Sequence, residues 1–126
     1  WGQTGPKKWG GAGVSWATVT KVIAIISAAD SALGQLPQNH LAGVAHLIED
    51  GTEEQQQTLL AEVLAGIRWG NAISEKNSRT VADFQTNFRR EGDEVVISGE
   101  NFYATGALLA YRIHVAAWGH SGLFRS

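Results

Sequence analysis

Residues 80–98, TVADFQTNFRREGDEVVIS, decide the fold. Ala82, Phe84, Thr86 and Phe88 alternate with Val81, Asp83, Gln85, Asn87 and Arg89. Alternation of this kind belongs to a strand with one buried face. Arg90-Glu91-Gly92-Asp93 carries turn chemistry, and EVVIS at 94–98 reads as a second short strand. The stretch is therefore expected to be a β-hairpin. Gly99-Glu100-Asn101 is a further break.

Upstream the period is helical. Val19, Val22, Ile23, Ile26, Ala29 and Leu33 recur at spacings of three and four, which predicts a helix over 15–34 between a Ser15 cap and a Gly34 stop. Ala24, Ile25 and Ala28 make its other side apolar too, as in a central helix. A second helix is expected from Pro37 to Gly51, with Leu41, Val44, Ala45 and Ile48 as its stripe. Thr52 and Gln55 have capping-box spacing and open a third. Its core face is Leu59, Leu60, Val63, Leu64 and Ile67, and the pattern extends through Trp69 and Ile73 towards Lys76.

Downstream, residues 102–118, FYATGALLAYRIHVAAW, admit two readings. The alanines favour helix; alternation of Leu109, Tyr111, Ile113 and Val115 favours strand. Length and alanine content incline the reading to helix, with 119–126 as a tail. The expected fold is α+β: three N-terminal helices packed with a β-hairpin and a C-terminal helix or strand. One compact domain is expected over 1–126, with a Gly/Trp-rich arm at 1–13, a helical part at 14–76 and the remainder at 77–126.

The 126 residues include 10 Lys and Arg and 12 Asp and Glu, a net charge of −2. No general nucleic-acid binding is expected from that balance. With no Cys there is no disulfide, thiolate metal site or cysteine nucleophile. The charges are segregated: Lys7, Lys8 and Lys21 precede Asp30, Glu49, Asp50, Glu53, Glu54 and Glu62. His40 and His46 are six apart, as are His114 and His120. Six residues turn a helix by about 240°, so neither pair shares a face, and no metal or cofactor is expected. Glu62, Glu75 and Asp30 each have ordinary structural explanations. Gly119-His120-Ser121-Gly122 lacks the nucleophile-elbow pattern, and no catalytic residue is assigned.

The most unusual segment is the start. Trp1, Trp9 and Trp16 lie among glycines with Lys7 and Lys8 and no acid. Tryptophan suits interfaces, and lysine adds attraction to anionic surfaces. These five residues are the candidates for binding a membrane, a cell-surface component or a protein partner. The Trp1 start leads to the expectation of a matured, secreted chain.

Residues 69–115, WGNAISEKNSRTVADFQTNFRREGDEVVISGENFYATGALLAYRIHV, resemble in order and pattern the fungal killer toxins of small α/β-sandwich type. The resemblance implies a secreted protein that harms a competing cell without an enzymatic site. The first functional expectation is thus a non-enzymatic toxin or surface-acting protein. A second is an excised nuclease-type toxin using His114 or His120 with Arg112 and Glu100. A third is a self-assembling structural protein, and oligomers fit any of the three.

Overall fold

The computed structural model describes residues 2–76, 78–80, 83–119 and 122–125, the last four as backbone only. Asp30 separates the first two helices. Helix α1, Trp16–Ala29, starts at Ser15, whose hydroxyl accepts the Thr18 N–H at 3.3 Å. At Asp30 the backbone is extended, and the carboxylate caps α2, Ser31–Asp50, by accepting N–H bonds from Ala32 at 2.8 Å and Leu33 at 3.1 Å.

The expected first helix therefore ends five residues early, and the second begins before Pro37. Gly34 is a contact residue inside α2 and no terminator, for a Cβ there would overlap the Ser27 hydroxyl of α1. Pro37 also lies inside α2. It deprives the Leu33 carbonyl of its helical donor on an exposed residue.

Helix α3, Glu53–Leu64, carries the expected capping box. Thr52 Oγ1 accepts the Gln55 N–H, and Gln55 Oε1 accepts the Thr52 N–H at 2.8 Å. The helix does not continue towards Lys76. Gly66 takes φ +95°, open to glycine at little cost, and turns the chain into strand β1, Trp69–Ala72.

Strands β2, Asn87–Glu91, and β3, Glu94–Ser98, form the hairpin, turning at Gly92 with Phe88 opposite Ile97. The first strand is shorter than its alternation suggested. The Glu75 carboxylate accepts the N–H groups of Gln85 and Thr86, each at 2.6 Å, so neither is available to a ladder. Val81 and Ala82 lie outside the described residues.

Residues 102–118 are settled as loop and then strand. A short 3-10 turn at Ala107–Leu109 precedes β4, Arg112–Gly119. The expected tail contains β5, Gly122–Arg125, antiparallel to β4. The mixed sheet runs β1-β4-β2-β3, with β5 also on β4. Strands β1 and β4 are parallel, Trp69 opposite Arg112 and Asn71 opposite His114. The α+β class stands, with a strand last.

The core lies between α2, α3 and β1: Val44, Leu47, Leu60, Val63 and Trp69, with Trp9, Ile48, Leu59 and Ile67 against it. Helix α2 sits close on the sheet because Gly43 faces the Trp69 ring, which a Cβ would approach to 2.8 Å. Among the described residues no helix is long and apolar enough to cross a membrane.

Glu75 offers a test of the hairpin's anchorage. Partial burial acts to raise its carboxyl pKa, but the Gln85 and Thr86 N–H donors prevail and hold it below the ordinary 4.5. A depressed carboxyl stabilises the fold above its unfolded pKa, and that contribution is lost as pH falls through the folded value. Glu75→Gln is expected to cost about 1–2 kcal/mol at pH 7. It should also flatten the loss of stability below about pH 4.5. Urea unfolding from pH 7 to pH 3 checks both.

Candidate functional site

Two segments meet at one edge of the sheet. The first is β1 with its continuation to Lys76. The second is the 99–111 loop before β4. The Phe102 N–H donates to the Ser74 carbonyl at 2.8 Å and the Tyr111 N–H to the Arg68 carbonyl at 3.1 Å. Arg68 Nη2 donates to the Leu109 carbonyl at 2.6 Å. Between these ties, Gly70 lies directly against the backbone of Gly106 and Ala107. The loop is thus laid along β1 and held at both ends.

Its conformation is unusual. Gly106 has φ +79°, and Tyr103 has φ +54°, in a region that a bulky residue rarely enters. The Tyr103 carbonyl accepts the Thr105 N–H at 2.8 Å, closing a tight turn. That turn leaves Tyr103 91% exposed. Leu108, Leu109, Tyr111 and Ile113 are exposed as well. Beside them the Nδ2 of Asn101 is buried with no hydrogen-bond partner. Lys76 Nζ lies 5.6 Å from the Phe102 ring centre. An aromatic and apolar rim with a free buried amide donor suits a flat, largely apolar ligand bearing a hydrogen-bond acceptor.

On the helix-facing side the polar groups pair internally. His40 is fully buried, and its Nδ1 accepts the Trp69 N–H at 3.1 Å. His46 Nδ1 lies 3.2 Å from His114 Nε2. Arg112 grips Glu62 with two hydrogen bonds of 2.9 and 2.7 Å. That bond holds the Glu62 carboxyl below its ordinary value and raises the Arg112 guanidinium above its own. Among the described residues no three of His, Cys, Asp and Glu converge as metal ligands.

The described residues among those expected from the sequence lie elsewhere. Trp1 is outside the described residues. Lys7 and Lys8 are exposed on a 3-10 turn, Lys7–Trp9. Lys8 pairs with Glu53 at 3.1 Å and stands 4.8 Å from the Trp9 ring. Trp9 is half-buried on α3, its indole N–H reaching Gln56 Oε1 at 3.4 Å. Trp16 is 51% exposed and lines a groove of about 360 Å³ between α1 and α2 with Val19, Ile23 and Leu41. Among the described residues the nuclease grouping does not assemble: Arg112 is held by Glu62, His114 is buried against His46, and Glu100 is exposed. His120 and Ser121 lie outside the described residues.

Residues 1–67, more than half of the chain, match the N-terminal domain of the acyl-CoA dehydrogenases. The chain belongs to this family. Relatives of this chain include a 3-sulfinopropanoyl-CoA desulfinase of Cupriavidus necator, 31% identical over 90% of this chain and 29% of that protein. A dibenzothiophene monooxygenase of Rhodococcus qingshengii is 34% identical over 81% of this chain and 25% of its own length. Among solved structures, TdsC from Paenibacillus sp. A11-2 with FMN and indole superposes with a TM-score of 0.86 at 27% identity, covering 99% of this chain and 33% of TdsC. The acyl-CoA dehydrogenase of Geobacillus kaustophilus, at 21% identity and a TM-score of 0.81 over 98% of this chain and 35% of its own, shares the fold. The chain thus spans about a quarter to a third of these proteins.

Membership in this family overturns several expectations. The likeness to killer toxins was one of element order, and the acyl-CoA dehydrogenase match displaces it. With it fall the secreted, surface-acting toxin, the nuclease toxin and the self-assembling structural protein. The matched relatives are enzymes by name, against the expectation of a non-enzyme. Asn101, Tyr103 and Thr105 were not among the expected site residues, because a loop laid along a strand has no period. Two breaks flanking an aromatic pair, GENFYATG, were the available signal.

Proposed function

We propose that this chain is part of a flavin-dependent enzyme of the acyl-CoA dehydrogenase family, and that the 101–109 loop and the end of β1 contribute its flavin-binding face. The observation that carries the reading is the partnerless Asn101 amide beside Tyr103, an exposed ring held at φ +54°. A flavin ring is flat, largely apolar and rimmed with acceptors, and those properties fit this surface. The relative bound to FMN and indole supports the same reading.

When bound, the flavin supplies the redox chemistry. This chain's residues bind and orient. Asn101 Nδ2 offers a hydrogen bond, the Tyr103 ring a stacking surface, and the Thr105 hydroxyl a second polar contact at the turn. Leu108, Leu109 and Tyr111 keep water from the bound face. These three side chains are uncharged, which favours a small, apolar, aromatic-type substrate portion at this point. The relative named for dibenzothiophene and the one bound to indole support that preference. Assembly with further subunits also fits, since the structural neighbours include the ChsE4-ChsE5 complex, at 25% identity and a TM-score of 0.71 over 94% of this chain and 31% of that one.

Titration of the intact protein with FMN and FAD, followed by flavin fluorescence, tests the reading. Asn101→Ala should weaken binding by about tenfold, the worth of one good hydrogen bond. Failure of the protein to retain either flavin would reject the proposal.

A further inference from the structure

His46 and His114 play no part in the proposed flavin face. One stands on α2 and the other on β4, 68 residues later in the sequence. Their facing nitrogens are 3.2 Å apart, and their ring centres are 4.8 Å apart with a 56° tilt. A head-on N–H···N bond of that length would hold the ring centres about 5.5 Å apart. The rings are therefore inclined to one another and off the head-on line. Two imidazoles on one tetrahedral ion, each at about 2.0–2.1 Å, place their nitrogens about 3.3–3.4 Å apart.

A third donor stands beside them. Asn71 is the register partner of His114 on the parallel β1–β4 ladder, so both side chains rise from the same sheet face. The Oδ1 of Asn71 is buried and has no hydrogen-bond partner. His114 is only 3% exposed. Three elements thus pair two ring nitrogens and set a buried, unused amide oxygen on the sheet face that carries one of them. The histidine spacings in the sequence concealed this, because the pair that meets is neither of those six apart.

We propose that His46, His114 and the side-chain oxygen of Asn71 form a site for a borderline divalent cation of the zinc type. The donor set favours zinc or copper over calcium and magnesium, which prefer all-oxygen shells. The bound ion ties α2 to β4 and β1. It serves as a structural cross-link and takes no part in flavin chemistry.

The test is thermal unfolding of the untagged, intact protein against zinc chloride, with cobalt(II) absorption as a second readout. Wild type is expected to gain several degrees in Tm, saturably, as zinc exceeds its Kd. It should also give the visible bands of cobalt bound by nitrogen and oxygen. His46→Gln, at a half-buried position, should lose both responses. Asn71→Asp, which supplies a charged oxygen, should bind zinc at least tenfold more tightly. No saturable response in wild type would overturn the site and leave a plain histidine–histidine hydrogen bond. An equal response in wild type and His46→Gln would overturn it too, as adventitious binding elsewhere. Neither readout depends on bound flavin or on turnover.

Discussion

Gly70→Ala is expected to dislodge the 101–109 loop from β1 and to lower flavin affinity by more than tenfold. The added Cβ would lie 2.8 Å from both the N and the Cα of Ala107 and 3.0 Å from the carbonyl carbon of Gly106. These are backbone atoms and have no rotamer through which to withdraw. The loop is tied at Ser74 and at Arg68 on either side of the clash, so it must break a tie or bow outward. Overpacking of this kind costs about 1–3 kcal/mol. The displacement falls on the segment bearing Asn101, Tyr103 and Thr105. Gly66→Ala is the matched control: its Cβ meets nothing within 4 Å, but φ is +95°. That variant should lose about 1 kcal/mol and keep its flavin affinity. Flavin titration and thermal unfolding of both separate binding from stability. Unchanged flavin affinity in Gly70→Ala would remove the loop from the binding face.

Leu60→Ala is expected to destabilise the protein by about 2–5 kcal/mol, the usual range for a buried leucine. Leu60 is 2% exposed and belongs to the cluster that joins α2, α3 and β1. Its loss leaves a cavity bounded by Val44, Leu47, Val63 and Trp69, side chains already fixed between two helices and a strand. Leu64→Ala, one turn on and 46% exposed, should cost about 1 kcal/mol or less. Urea unfolding should show the midpoint of Leu60→Ala shifted with little change in slope. Similar losses in both variants would mean that the core does not lie where the burial places it.

Legibility followed the range of the interactions. The capping box of α3 joins residues three apart, and Thr52 and Gln55 announced it correctly. The hairpin was visible too, because Arg90 to Asp93 carry the turn and the strands adjoin it. Errors arose where a distant residue intervened. Gly34 and Pro37 read as boundaries, but Ser27 and the Asp30 cap keep both inside α2. The alternation from Thr80 read as strand, but Glu75 takes the two N–H groups that the strand would need. The candidate site was the least legible part. Tyr103 and Asn101 acquire their significance only from a loop laid against β1, and the tryptophans drew attention to the opposite end of the chain.

The amino-acid sequence by itself determined the helix-rich first half, the hairpin and the α+β class, because periodicity and caps act within a few residues. Family membership rests on residues matched to relatives, which the chain's own periodicity and caps did not reveal. Tertiary structure alone decided that 112–119 is a strand. A run equally suited to helix or sheet takes the state its neighbours supply, and β1 supplied a parallel ladder. Tertiary structure alone also brought His46 to His114 and Ser74 to Phe102, since contacts across 68 and 28 residues leave no local pattern to read.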